Sequence, residues 1–324
     1  MNTFTRRLFL TTALVGSVLS TAIAASAETK LVAIANFGEH PQLNAVVEGV
    51  QAAILKAGID AKFTVDHVNF DATLLPQMFA KIEASDPDMI VAVTTPVAQN
   101  MLNIFGDSGK PMLFGAVTDP VAAELVPSWD QGGKNITGVA DALDIKATVE
   151  FIHRLFPDAK SIGVPYNPAE ANDIATLKLF ETHAPAFGLE IKSVGVDNTN
   201  DIMARITSLA NQADVVYGPA SNMIQPAIAA VASAANQSGT PVVNMDQGPV
   251  TEGMVAAGFT VSYGRIGELV GEMAVRILNG EAAADIAPQG PSFEDHSMVI
   301  SRSAMASIGK EIPAEFADCD CIVD

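Results

Sequence analysis

Beyond residue 27 the chain alternates short, uninterrupted apolar runs with longer stretches in which apolar positions recur every three or four residues. Residues 31–36 (LVAIAN) read as a strand. Over 41–57, Leu43, Val46, Val47, Val50, Ile54 and Leu55 share one helical face, and Gly58 stops the helix. Strand 61–68, helix 71–84, strand 88–94, helix 96–105 and strand 111–117 follow. Segments such as MIVAV and MLFGAV show no polar alternation, which marks strands covered on both faces in a parallel sheet. After a polar, glycine-rich link at 129–137 the rhythm restarts. Helix 146–155, strand 161–165, helix 169–187, strand 190–196, helix 201–210, strand 214–217, helix 223–237 and strand 241–245 make a second unit of similar size. Crossing segments fall near 138–143 and 254–259, and helix 263–278, closed by Gly280, returns to the first unit. The pattern predicts an α/β protein of two doubly wound parallel-sheet lobes joined by a hinge. Residues 28–142 with 260–290 would form one lobe and 143–259 with 291–324 the other.

The first residues follow a different rule. Arg6 and Arg7 precede an apolar run ending in Ala25-Ser26-Ala27, the parts of a cleavable secretory signal. Thr11, Thr12, Gly16, Ser17, Ser20 and Thr21 make the run too polar to hold a bilayer span. Thr5-Arg6-Arg7-Leu8-Phe9-Leu10 also resembles a twin-arginine export signal, the alternative being an ordinary secretory signal with two arginines. Cleavage after Ala27 would leave 297 of the 324 residues, starting at Glu28 and exported to the periplasm. Removal of the two arginines would take the formal net charge from −19 to −21. That balance argues against nucleic acid, whose phosphates require a basic surface. No second apolar run is long enough to insert the mature chain into a membrane.

The two cysteines, Cys319 and Cys321, flank Asp320 near the C-terminus. Bridging residues i and i+2 closes a very small ring, so an internal disulfide is not expected. Two thiols alone also make a poor metal site. A peripheral tail, or a disulfide to another molecule, are the readings left open.

In open parallel sheets, ligands bind beyond the carboxyl ends of the strands. That rule selects the loops 36–40, 94–99, 117–120, 166–173, 218–223 and 245–248. Their candidate contact residues are Phe37, Glu39, Thr94, Thr95, Asp119, Asn167, Glu170, Asn172, Asp173, Ser221, Asn222 and Asp246. Pro41, Pro96, Pro120 and Pro168 stand at or near helix starts, where free N–H groups point outward and attract acceptors. Thr94-Thr95-Pro96 adds two hydroxyls to such a turn and suits a carboxylate, although Thr95 could equally cap its helix. Asp119 could do the same, and Asp71 and Asp201 fit as plain caps. No GxSxG elbow, HExxH helix or Cys–His pairing is present, so no catalytic residue, metal or cofactor is assigned. Met245 and Met254 lie in apolar strands and are expected in the core.

The segments GEHPQL (38–43), TTPVAQ (94–99), FGAVTDPVAAELV (114–126) and GGKNITGV (132–139) resemble a family of ABC transporter substrate-binding proteins that has tryptophan-, tyrosine- and phenylalanine-binding members. FPDAKSIGVPYNPAEAN (156–172), GTPVVNMDQGPVTEGMVAAGF (239–259) and GRIGELVGEMAVRILNGEAAADIAP (264–288) continue the resemblance through the second lobe. It implies a type I periplasmic-binding-protein fold and a monomer that hands a small organic solute to an ABC transporter permease. A ligand-sensing subunit of a membrane receptor and, more remotely, a secreted α/β hydrolase are the rival functions. The family's ligand loops match Glu39, His40 and Pro41, then Thr94, Thr95 and Pro96, then Asn167, Pro168, Glu170 and Asn172. Two positions depart: Asp173 stands where the family has Ser, and Ser221 where it favours Asp. The resemblance implies an aromatic amino acid or a related aromatic or heterocyclic compound as ligand. If Asp173 and Ser221 both line the cleft, an ordinary aromatic amino acid fits less well; the alternative is that Asp173 caps its helix from the rim and never meets the ligand.

Overall fold

The computed structural model of the protein describes residues 28–324; the export signal read over 1–27 and its cleavage site lie outside them. The first sheet is built from β1 (Lys30–Asn36), β2 (Ala61–His67), β3 (Met89–Val93), β4 (Met112–Gly115) and β5 (Ile136–Val139). Helices α1 (Pro41–Lys56), α2 (Leu75–Ala84) and α3 (Thr95–Phe105) connect its strands. The second lobe runs α4 (Ile145–Leu155), β6 (Ser161–Tyr166), α5 (Ala171–His183), β7 (Glu190–Gly195), α6 (Ile202–Ala210), β8 (Val215–Gly218), α7 (Ile228–Asn236), β9 (Val242–Asn244), α8 (Gly248–Thr251) and β10 (Ala257–Val261). Helix α9 (Tyr263–Leu278) then precedes β11 (His296–Ser301), α10 (Arg302–Ser307) and β12 (Ile322–Val323).

The first sheet has the order β2-β1-β3-β4-β5, with every pair parallel. The second begins with the same winding, β7-β6-β8-β9-β10, and adds an antiparallel β11 and a parallel β12. Strands β3, β4, β5, β8 and β9 are buried along their whole length, as their unbroken apolar runs require. Each sheet reverses its winding beside its first strand, between β1 and β3 and between β6 and β8. Those switch points leave a crevice at the carboxyl edge.

The chain passes between the sheets after Val139, after Val261 and between Gln289, which bridges to Val139, and β11. Thr260 and Val261 still pair with β11, so β10 extends two residues past Phe259. Helix α9 returns to the first sheet and lies on α1. Its approach depends on glycine: a Cβ on Gly267 would stand 2.3 Å from the Val46 carbonyl oxygen, and one on Gly271 2.8 Å from that of Val50.

Several local expectations change. Asp71 caps a 3-10 turn, Ala72–Leu74, through the Thr73 N–H, before α2 begins. Asp201 caps nothing; Asn198 accepts from the Asn200 N–H instead. The predicted helix 223–237 opens as turns, because Pro226 has no N–H to give, and α7 starts at Ile228. Asp119-Pro120 leads into turns rather than a helix. The cysteine expectation is overturned: Cys319 and Cys321 are disulfide-bonded to each other, with Cα atoms 5.0 Å apart, inside the bridging range. The turn closed by Cys319 N–H on Phe316 O and Ile322 N–H on Cys319 O folds the tail tightly enough to permit it. Among the described residues no helix is long and apolar enough to cross a membrane.

Candidate functional site

Between the facing carboxyl edges of the two sheets lies a cavity of about 430 Å3. The first lobe contributes His40, Leu43, Phe70, Thr94, Thr95, Ala116 and Thr118 to its walls. The second contributes Asn172, Ser221, Asn222, Gln225, Pro226 and Met245, and the crossing segments supply Asp141 and Tyr263. No Lys or Arg among the described residues lines it. Phe70, Asn222 and Pro226 also border a wider neighbouring cleft of about 1360 Å3. On a different wall Thr118, Asp141 and Ala220 are shared with a further chamber of about 550 Å3.

The first-lobe wall holds strained backbone. Thr94, between β3 and α3, has φ 87° and ψ 158°, a region that only glycine occupies freely. Its own N–H donates to Gly115 O and its carbonyl accepts from the Ala98 N–H, which fixes the turn. The Thr94 hydroxyl is buried, has no partner and caps no helix N–H. Ala116, opposite on the loop after β4, has φ 53°. Each such residue costs on the order of 1–3 kcal/mol and persists where the site requires it. Thr94→Gly is therefore expected to stabilise the ligand-free protein by about 1 kcal/mol, the relief exceeding glycine's entropic cost. The same change should weaken ligand binding. Thermal melting and titration of the one variant check both signs.

The second-lobe loop after β6 is bound mainly to itself. The Glu170 carboxylate accepts from Asn167 Nδ2 (3.0 Å), Asn172 Nδ2 (3.2 Å), the Asn222 N–H (3.0 Å) and Asn222 Nδ2 (2.7 Å). Asp173 accepts from the Asn167 N–H (2.6 Å) and from Asn172 Nδ2 (2.9 Å). With its donors all directed at protein atoms, Asn172 still has its Oδ1 buried and unpartnered. Burial, and then the neighbouring Glu170 carboxylate, raise the Asp173 pKa to about 8; the Asn167 N–H and the Ser221 hydroxyl pull the other way. A carboxyl raised in the folded state binds a proton that the unfolded chain has already lost. Its contribution is complete below the unfolded value near 4 and lost as pH rises through about 8. Between pH 5 and 8 the wild-type melting temperature should fall, and Asp173→Asn should flatten that slope; an unaltered slope would locate the titration elsewhere.

Asp141 and Tyr263 join two of the crossing segments. The Tyr263 hydroxyl donates to Asp141 Oδ2 at 2.5 Å, and both side chains are buried. Asp141 Oδ1 has no partner. Burial holds the Asp141 carboxyl above the usual range, and the hydrogen bond from Tyr263 only partly offsets it. His40 of the first lobe and Asp246 of the second influence each other across the cleft. Burial lowers the His40 pKa against the pull of Asp246, and burial raises that of Asp246.

The candidate residues thus separate. Thr94, Thr95, Asn172, Ser221 and Asn222 line the central cavity. Phe37, Asn167 and Glu170 border the wider cleft, with the Phe37 ring edge-on to Phe70 at 5.7 Å. Asp119 borders the further chamber, where it accepts from the Val121 and Ala122 N–H groups, both at 3.0 Å. Asp246 accepts from the Gly248 N–H at 2.9 Å. Glu39 points outward, 75% exposed, towards His67. Asp173 lies behind the wall formed by Asn172 and Ser221 and borders none of the three spaces. Met245, expected in the core, is buried but faces the cavity. Sequence reasoning missed Phe70, Ala116, Asp141, Gln225 and Tyr263. Asp141 did leave a signal, as an acid inside the apolar crossing segment 138–143.

A family model described as ABC transporter substrate binding protein matches residues 31–317. A tyrosine-binding protein from Clostridioides difficile is 31% identical over 265 residues, covering 81% of this chain and 76% of that protein. Among solved structures, an ABC domain in complex with L-Trp from Streptococcus pneumonia superposes with a TM-score of 0.84 at 27% identity, covering 90% of this chain and 100% of that one. A conserved domain protein from Vibrio cholerae superposes at 0.87 with 28% identity, covering 92% and 100%. The ligand-free, open structure of a substrate-binding protein from Clostridium difficile reaches only 0.69 at 29% identity, covering 91% and 98%. At nearly equal identity, the chain superposes more closely on the tryptophan-bound structure than on the ligand-free, open one.

Proposed function

The chain belongs to the family of ABC transporter substrate-binding proteins, and on that footing we propose that its cleft takes up an aromatic amino acid, or a close aromatic or heterocyclic relative, in the periplasm for delivery to an importer's permease. One observation carries the reading: Thr94 Oγ1, Asp141 Oδ1 and Asn172 Oδ1 are buried, lack hydrogen-bond partners and belong to residues around one cavity. A buried polar atom without a partner carries a desolvation cost that a ligand can remove. The two carboxyl- and amide-type acceptors, with no compensating Lys or Arg, match an ammonium group. The first turn of α3, with the Thr94 and Thr95 hydroxyls, suits the carboxylate of the same molecule. Leu43, Phe70, Met245 and Tyr263 offer apolar surface for a ring. The relatives that are named for tyrosine or crystallised with tryptophan support the same ligand class.

Closure follows from the lobes' shared ownership of the cavity. A ligand that touches both lobes favours the closed arrangement by its differential affinity. Residues 28–142 with 260–290 would move against 143–259 with 291–324, as a monomer exported by the signal read at 1–27. Asp141, tied to Tyr263, stands where those bodies meet, so an ammonium bound there is felt at the hinge itself. The direct test is to denature the protein purified from its exported form and identify the released small molecule by mass spectrometry. An aromatic amino acid or its close relative is expected. A sugar or a carboxylate without nitrogen would overturn the assignment.

A further inference from the structure

A second chamber opens beyond Asp141, which together with Thr118 and Ala220 borders both it and the central cavity. Its walls are Leu143, Ile145 and Leu179 with the ring of Tyr217, and Trp129, 41% exposed, stands on its border. Tyr217 is fully buried, yet its hydroxyl has no hydrogen-bond partner. The chamber's acids are Asp119, already occupied by two backbone N–H groups, and Asp141, which borders both spaces.

Resting on the reading above, we propose that this chamber is a second subsite, and that it receives an apolar arm carried on the ligand's own nitrogen. The ligand class is then a secondary amine: an aromatic amino acid whose ammonium bears a further uncharged substituent. The placement of Asp141 dictates the chemistry. A nitrogen held by the one carboxylate common to both spaces can send one substituent into each. A secondary amine stays protonated at neutral pH and keeps the pairing. An amide nitrogen carries no charge, and an N-acylated amino acid would leave the buried carboxylate unpaired.

The test is calorimetric titration of the full mature chain with phenylalanine, N-benzylphenylalanine and N-benzoylphenylalanine. The expected order has the N-benzyl amine at least as tight as phenylalanine and the N-benzoyl amide weaker by a hundred-fold or more. Ala175→Trp, which fills only the second chamber, should weaken the N-benzyl amine by more than ten-fold and leave phenylalanine within two-fold. Leu179→Trp, at a partly exposed position, serves the same purpose if the first variant does not fold. Phenylalanine bound while the N-benzyl amine is excluded would overturn the subsite and leave the proposed function standing. Equal losses for both ligands in the filled variants would also overturn it. The N-benzyl amine bound without phenylalanine would support the subsite and correct the proposed function, whereas binding of none of the three would remove both.

Discussion

Asp141→Asn is expected to weaken binding of tryptophan or tyrosine by roughly two to three orders of magnitude while leaving the ligand-free protein as stable as before, or more so. The two effects have one origin. Asp141 Oδ1 is buried without a partner, and burial already holds its carboxyl above the usual range. In the empty protein that charge is a burden, and replacing an unsatisfied buried carboxylate by an isosteric amide removes it. The Tyr263 hydroxyl can still donate to the amide oxygen. In the complex the same carboxylate is the counter-charge of the ligand's ammonium, and losing one partner of a buried charge pair costs about 2–5 kcal/mol. Affinity in the wild type should also decline towards acid pH, as Asp141 takes up a proton and its charge disappears. Titration calorimetry with paired thermal melts measures both quantities. A variant that binds normally would move the ammonium elsewhere, and one that simply melts early would make Asp141 structural.

The second large effect concerns the return of the chain to the first lobe. Gly267→Leu should destabilise the protein by about 3 kcal/mol or more, at the upper end for overpacked cores. The helix cannot yield locally, because the Cβ would stand 2.3 Å from the Val46 carbonyl oxygen and 2.8 Å from its Cα, both backbone atoms. Helices α1 and α9 would have to separate along their whole contact. Gly280→Ala, at the end of α9 with φ 101° and nothing within 4 Å of its Cβ, would suffer only the local strain of its backbone. Chemical denaturation of the two variants should therefore give clearly unequal losses. Equal losses would mean that the α1–α9 contact is less constrained than its glycines imply.

Most of the fold was legible because buried parallel strands and amphipathic helices write different periods into the sequence. Residues 89–93 (MIVAV) and the 41–57 face are read directly, and Gly58 and Gly280 mark the helix ends. Breaks inside helical patterns were not legible. Pro226 delays α7, and the residues after His183 tighten into a 3-10 turn before Gly188 at φ 71°. The cavity was half legible. Switch-point logic found Thr94, Thr95, Asn172, Ser221 and Asn222, since those loops are fixed by strand order. It could not find Phe70, which reaches the cavity through consecutive left-handed residues Asn69 and Phe70, or Tyr263, which opens a helix whose body belongs to the first lobe. Asp173 and Ser221 show why a substitution read alone misleads. The Ser221 hydroxyl stands by the Asp173 carboxyl group, so acid and hydroxyl have traded places within one contact, and the carboxyl group has stayed in the loop cluster. That exchange removes the reason to expect an unusual ligand from those two positions.

The central claim is that the two lobes close on an aromatic amino acid. Small-angle scattering from the ligand-stripped mature protein, with and without saturating tryptophan or tyrosine, tests it in one experiment. The account predicts a larger radius of gyration without ligand, falling on addition of the amino acid. The same radius of gyration in both samples would contradict it.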